Sequence, residues 1–192
     1  LAKAALTHAQ FETIHPFIDG NGRTGRTLLH RMLRSDGVLL HATVPISAGL
    51  LHDIDDYMSA LSSYQQGDPT PIIEQVCGAI DLALVVGQKT SRAIADLVED
   101  WATRMRERSG SRIFELPALL VEQPVVNSDY VASGLGVTRR AATSIISRAC
   151  EYGILKPLGN AQRGDFYQAS ELIAVLDEIS SMAGIRRLAA GV

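Results

Sequence analysis

The stretch His15-Pro16-Phe17-Ile18-Asp19-Gly20-Asn21-Gly22-Arg23-Thr24-Gly25-Arg26 gathers an imidazole, a carboxylate, a carboxamide and two guanidinium groups, with three glycines between them. Upstream, Leu1, Ala4, Ala5, Phe11 and Ile14 recur at helical spacing, which predicts a helix ending at His15. Pro16 removes an N–H and disfavours the right-handed helical region for His15, so the chain must turn there. Downstream, Leu28, Leu29, Met32 and Leu33 mark the apolar stripe of a second helix beginning near Arg23, with Gly37 placed just past its end. The segment therefore reads as a loop leading into a helix N-terminus.

That geometry suits an anion. Asp19-Gly20-Asn21-Gly22 can adopt positive φ values and turn successive backbone N–H groups inward. The following helix adds unpaired N–H groups and the positive end of its dipole. Arg23 and Arg26 are three residues apart, so both guanidinium forks share one helix face, where they fit phosphate oxygens better than an ammonium would. Asp19 could hold a magnesium ion bridging two phosphates. His15 is the good general base in the loop. The combination reads as phosphoryl or nucleotidyl transfer to an acceptor hydroxyl.

The stretch resembles, at every specified position, the signature of the Fic (filamentation induced by cAMP) family, H-P-F-x-D/E-G-N-G-R-x-x-R. The resemblance implies a helical core that transfers AMP from Mg-ATP to a hydroxyl side chain of a target protein. By position it makes His15 the base for the target hydroxyl and Asp19 the Mg2+ ligand. Asn21, with the amides of Gly20 and Gly22, would hold the α-phosphate, and Arg23 and Arg26 the outer phosphates. Gly25 is counted with these cofactor-binding residues, and Phe17 would point into the core and anchor the loop. A Lys at position 22 would suggest the kinase-like subgroup, so Gly22 favours nucleotidyl transfer. Family members carry a target-docking flap, and often an inhibitory helix with S/T-x-x-x-E-G/N, ahead of the signature. No Glu here precedes Gly or Asn, and Leu1 already sits in a helical pattern, so we expect an N-terminal part to be missing.

Of 192 residues, 46% are hydrophobic and 20% charged, and the 5% aromatic content with few alternating runs favours helices. The longest apolar run, Ile80 to Gly87, is interrupted by Asp81, which argues against a membrane span. Cys77 and Cys150 lie far apart without metal spacing and read as free thiols of a reducing, cytoplasmic compartment. Ser47 is placed to cap a helix containing Leu50, Leu51, Ile54, Tyr57, Met58 and Leu61. Tyr57 and Tyr64 read as core packing, with lining of the adenine site as the alternative. His41 and His52 read as surface or capping residues, and Asp53, Asp55 and Asp56 as a solvated face near a helix N-terminus. Beyond Gly67-Asp68-Pro69-Thr70-Pro71 a long helix is expected from Ile72 to about Arg108, ended by Ser109-Gly110-Ser111.

Residues 112–182 then change to short helices. A first helix over Phe114–Val121 stops at Pro124, a second starts at Asn127-Ser128-Asp129, and Thr138 caps a third that ends at Gly153. Two short strands flank residues 159–164, and a last helix runs from Glu171 to Met182. This pattern resembles a winged helix-turn-helix, a module that follows the core in longer Fic proteins. Residues 109–192 hold eight basic and eight acidic side chains, without the excess typical of a dedicated DNA binder. Yet Arg139, Arg140 and Arg148 fall on the expected recognition helix, and Lys156 and Arg163 around the wing, a local cluster suited to phosphates. DNA binding and a protein-interaction or homodimerisation role both stay open.

The sequence thus predicts a mainly α protein of bacterial type: the C-terminal part of a Fic-type helical core over 1–108, a small winged helix-turn-helix over 112–182 and a tail over 183–192. The expected function is protein adenylyltransferase (AMPylase), using ATP and Mg2+ to modify a target protein. The alternatives are a Fic-related DNA-binding transcriptional regulator, or AMP removal or transfer of another phosphate-linked group on the same loop.

Overall fold

The computed structural model describes residues 1–38, 45–159 and 166–190. Expectations for His41, and for the tip of the wing with Arg163, fall outside these residues. The fold is mainly α, and its contacts form two compact units, one from residues 1–89 and 179–192, the other from residues 90–178.

In the first unit, α1 (Ala2–Ile14), α2 (Asn21–Ser35), α3 (Ile46–His52), α4 (Ile54–Gln65) and the first half of α5 (Thr70–Arg104) bury two apolar clusters. The buried face of α1 is small, Ala4, Ala5 and Ala9, so α2 packs close against it through Leu29 and Leu33. At the end of α2 the Gly37 N–H donates to the Arg34 carbonyl at 3.2 Å and the Val38 N–H to Leu33 at 2.9 Å, with Gly37 at φ 73°. That is the Schellman pattern expected of a glycine one residue past the C-cap.

The single helix expected from Ser47 through Leu61 is two. Asp53, extended at φ −134°, accepts a 3.0 Å hydrogen bond from the Asp56 N–H and so starts α4 afresh. A short carboxylate that caps a new turn competes with helix continuation. Residues 183–190, expected as a tail, include most of α10 (Met182–Ala189), capped by Ser181, whose Oγ accepts from the Gly184 N–H at 3.0 Å. Ile185 of α10 is buried, α10 packs on α3, and Lys89 Nζ donates to the Leu188 carbonyl at 2.5 Å.

α5 is, among the described residues, the helix long and apolar enough to cross a membrane, with a mean hydropathy of 1.5 over its best window. Ile72, Val76, Ala79, Ala83 and Val86 on its first half are nonetheless buried inside the first unit.

The second unit starts within α5, at Thr90, rather than at Ser109-Gly110-Ser111, because Ile94, Leu97, Val98 and Trp101 pack on the second core. A 3-10 turn (Arg112–Glu115) leads into α6 (Leu116–Glu122), then β1 (Val125–Val126), α7 (Ser128–Leu135), α8 (Arg139–Glu151), β2 (Lys156–Pro157), β3 (Tyr167–Gln168) and α9 (Ser170–Ser180). Asn127 and Thr138 cap α7 and α8, accepting from the Tyr130 and Ala141 N–H groups at 2.9 and 3.3 Å. The strands form one antiparallel sheet in the order β1-β3-β2, with Gln168 opposite both Val125 and Lys156. Glu171 ties α9 to the end of α5. It accepts from Trp101 Nε1 at 2.7 Å and from the Arg104 guanidinium at 3.0 Å. Partial burial acts to raise the Glu171 carboxyl, but these donors outweigh it and hold the group below its usual range.

Two glycines provide a test of the packing. A Cβ on Gly49 of α3 would collide with the backbone of Ala79 on α5, whereas one on Gly78 would meet nothing within 4 Å. Gly49→Ala should therefore cost about 1–3 kcal/mol through overpacking. Gly78→Ala should instead stabilise the helix by about 0.5–1 kcal/mol. Urea-unfolding midpoints of the two variants should move in opposite directions.

Candidate active site

His15 ends α1 in the left-handed region, φ 49° and ψ 57°, as the one described non-glycine residue with positive φ. This conformation costs about 1 kcal/mol for a residue with a Cβ, and Pro16 helps impose it by crowding the right-handed alternative. Its N–H still donates to the Phe11 carbonyl at 3.0 Å, and its side chain is 62% exposed.

The loop that follows is closed by Asn21. This residue is buried; its Oδ1 accepts from the Phe17 N–H at 2.9 Å and its Nδ2 donates to the Phe17 carbonyl at 2.5 Å. Both polar backbone groups of Phe17 are thus satisfied by one side chain, which fixes the loop across four residues. The Asn21 carboxamide, expected to hold a phosphate, also closes the loop, which uses one of its two Nδ2 hydrogens. Phe17 does not point into the core as expected. It is half exposed, with its ring 6.2 Å from that of Phe11. The clamp on its backbone removes the need for a buried side-chain anchor.

Gly20, at φ 83°, is the N-cap of α2 and offers no side-chain cap. The first helical bond runs from the Thr24 N–H to the Gly20 carbonyl at 3.0 Å. Helix geometry therefore leaves the N–H groups of Asn21, Gly22 and Arg23 without a carbonyl one turn back. Asp19 caps the preceding position, its Oδ1 accepting from the Gly20 N–H at 2.7 Å, and its Oδ2 lies 3.4 Å from Arg23 Nη2. An ion pair this exposed contributes less than about 1 kcal/mol, so a phosphate group can displace it.

The two arginines face the loop together. The Arg23 guanidinium lies against Gly20, 3.4 Å from where a Cβ would stand, and that of Arg26 lies against Gly22 at 3.2 Å. His15, Asp19, Gly20, Asn21, Gly22, Arg23 and Arg26, joined by Ile18, line one open cavity of about 320 Å³. Gly25 is not brought there. It faces α1, where a Cβ would collide with the Glu12 carboxylate. Among the described residues no group of three or more metal-ligating side chains forms. Asp19 is a lone, exposed carboxylate, the donor set that suits Mg2+ when phosphates and water supply the other ligands.

Beside the loop, α1 buries His8, which the sequence reading passed over although it shares the face of Ala4, Ala5 and Ala9. Its Nε2 lies 2.9 Å from the Tyr57 hydroxyl, while Nδ1 makes no well-formed hydrogen bond. Burial lowers the His8 pKa and raises that of Tyr57. Tyr64 donates to Gln10 Oε1 at 2.7 Å, and both tyrosines pack on a small core cluster with Ala9 and Leu61. They are packing residues, outside the cavity lining. Glu12 was also missed; its signal was its position three residues before His15.

In the second unit the expected cationic cluster is largely engaged. Arg148 Nη1 lies 2.7 Å from Glu107 Oε2, with the Tyr152 hydroxyl donating to Glu107 Oε1 at 3.1 Å. Arg139 pairs with Asp129 at 3.2 Å. Lys156 lies on β2 near enough to Glu171 to lower its carboxyl, and Arg140 is exposed at the start of α8.

The fold and the loop define a mainly helical protein with an open cavity lined by an exposed imidazole, a carboxylate and two guanidinium groups. Comparison with known proteins adds a family likeness to that class: residues 1–33 match the model of the Fic/DOC family. It is 40% identical over 65 residues to a probable protein adenylyltransferase of Aquifex aeolicus, covering 34% of this chain and 18% of the relative. It is 38% identical over 73 residues to the protein adenylyltransferase Fic of Nematostella vectensis, covering 38% and 16%. A Fido domain-containing protein of Dictyostelium discoideum is 52% identical over 58 residues, covering 30% and 36%. The chain thus spans well under half the length of these relatives.

The buried His8 generates a stability prediction. Its folded-state pKa lies below the unfolded value of 6.5, so the unfolded chain takes up the proton first as pH falls. Stability is fully present above pH 6.5 and declines below it. His30, partly buried on α2, is shifted in the same direction by burial. The urea midpoint should be lower at pH 5 than at pH 7.5, and His8→Gln should flatten that difference.

Proposed function

We propose that this chain contributes the nucleotide-binding and catalytic loop of a protein adenylyltransferase, which moves AMP from ATP to a hydroxyl side chain of a target protein. The observation that carries the reading is the single cavity lined by His15, Asp19, Arg23 and Arg26. A base, a hard-metal carboxylate and two phosphate forks converge there, and two relatives matched over about a third of the chain bear the adenylyltransferase name.

His15 takes the proton from the target hydroxyl, whose oxygen attacks the α-phosphorus. The new O–P bond forms as the bond to the bridging oxygen of the β-phosphate breaks, and pyrophosphate leaves. Arg23 and Arg26 bind the β- and γ-phosphates and neutralise charge developing on the leaving group. The backbone N–H groups at the start of α2, with Gly20 and Gly22 allowing close approach, hold the α-phosphate. Asp19 would hold Mg2+, which when bound neutralises phosphate charge. Most of the rate comes from positioning and electrostatics rather than from covalent chemistry with the protein.

For the second unit we propose a winged helix, supported by the order helix, strand, helix, helix, strand, strand and the β1-β3-β2 sheet. With Arg148 held by the partly buried Glu107, its surface favours a protein partner over duplex DNA. Steeply salt-dependent binding to duplex DNA would reverse that preference.

The transfer reading is tested by incubating the chain with a cell lysate and ATP labelled on either the α- or the γ-phosphate. The α-label should enter protein and the γ-label should not. His15→Ala should retain ATP binding and lose at least about 100-fold of the transfer rate. Incorporation of the γ-label would identify a phosphotransferase, and full activity of His15→Ala would remove the imidazole from the mechanism.

A further inference from the structure

We infer that Glu12 is a positioning residue for His15: it holds the imidazole with its proton on Nδ1 and leaves the Nε2 lone pair facing the cavity. The inference deepens the transfer reading and rests on it for its kinetic consequences alone.

Glu12 lies in the last turn of α1, and His15, three residues on, is its left-handed C-cap. The left-handed conformation of His15 turns its ring back over that turn. There Nδ1 lies 3.3 Å from the Glu12 carbonyl and 3.9 Å from its Oε2. Both neighbours are acceptors. A neutral imidazole has one N–H and one lone pair, so these two oxygens select Nδ1 as the N–H and Nε2 as the base.

The burial of Glu12 is the second observation. Its side chain is 11% exposed, against 62% for His15, an unusual placement for a carboxylate unless something holds it. The slot exists because position 25 has no side chain: a Cβ there would collide with Glu12 Oε1 and press on Phe11. Gly25 is thus assigned to seating the carboxylate rather than to the nucleotide. Buried His8 and Tyr57 both feel the Glu12 charge, with Arg26 acting in the opposite sense.

The chemical consequence is specific. When Nε2 takes the proton from the attacking hydroxyl, the ring becomes an imidazolium. The Nδ1 proton stays in place, and the Glu12 carboxylate stabilises the new charge without itself becoming protonated. The same division of labour operates where a buried carboxylate orients a catalytic histidine in serine proteases.

The test uses the whole chain with ¹⁵N-labelled histidine. At a pH where His15 is neutral, wild type should show the Nδ1–H tautomer as the main form at His15. Glu12→Gln, which keeps the shape and removes the charge, should give a several-fold larger share of Nε2–H. Gly25→Ala should do the same with Glu12 still present, by unseating the carboxylate. If that variant does not fold, Glu12→Asp replaces it, keeping the charge but falling short of the ring. Where transfer is measurable, Glu12→Gln should lower kcat about 10- to 100-fold with KM for ATP within about twofold, and add no loss in a His15→Ala background. An Nε2–H wild type, an unchanged tautomer in Glu12→Gln, or a raised KM at constant kcat would overturn the inference. If the chain transfers no nucleotide at all, the adenylyltransferase reading fails, and the spectra alone decide the role of Glu12.

Discussion

The double hydrogen bond between the Asn21 side chain and the Phe17 backbone is the constraint on which the site depends. A loop of proline, exposed apolar residues and glycine has little packing to order it: Ile18 is fully exposed and Phe17 half so. One buried carboxamide replaces that packing by satisfying a donor and an acceptor on the same residue, where leaving either unpaired would cost about 1–3 kcal/mol. With the loop fixed, His15 is held at its mouth, Gly20 can start α2 in a left-handed conformation, and the first N–H groups of α2 point into a defined space.

The arginines complete the cradle from the opposite side. Each guanidinium lies against a glycine of the loop, that of Arg23 on a largely exposed side chain. Gly20 serves conformation and space together and Gly22 space, since a side chain at either would crowd the neighbouring guanidinium. The Asp19–Arg23 pair is weak enough to exchange partners, so a phosphate and a hard cation arriving together would meet two groups already placed for them.

Much of this was legible in the residues because it depends on local rules. Pro16 after His15, Gly37 after the second apolar stripe, Asn127 and Thr138 ahead of α7 and α8, and the spacing of Arg23 and Arg26 each act within one or two turns. What the residues hid depends on partners far along the chain. The start of the second unit inside α5 follows from which core Ile94 to Trp101 join, and Arg148 is engaged by Glu107, 41 positions away. Phe17 and Asn21 show the same limit at short range. Their residue types do not reveal that the ring is half exposed or that the carboxamide closes the loop, and only the geometry shows both. The split at Asp53 was in principle readable, since an aspartate three residues before an N–H it can cap signals a helix start.

The first unit is assembled from two separate parts of the chain, residues 1–89 and 179–192, with Lys89 bonded to the carbonyls of Leu188 and Ala190. Topologically, the intervening 89 residues are an insertion. Shortening the polypeptide at its C-terminal end would therefore strip a helix from the unit that bears the histidine, even though that histidine lies near the opposite terminus. A nick within the insertion would turn an intramolecular closure into an association of two pieces, with the loss of effective concentration that this entails.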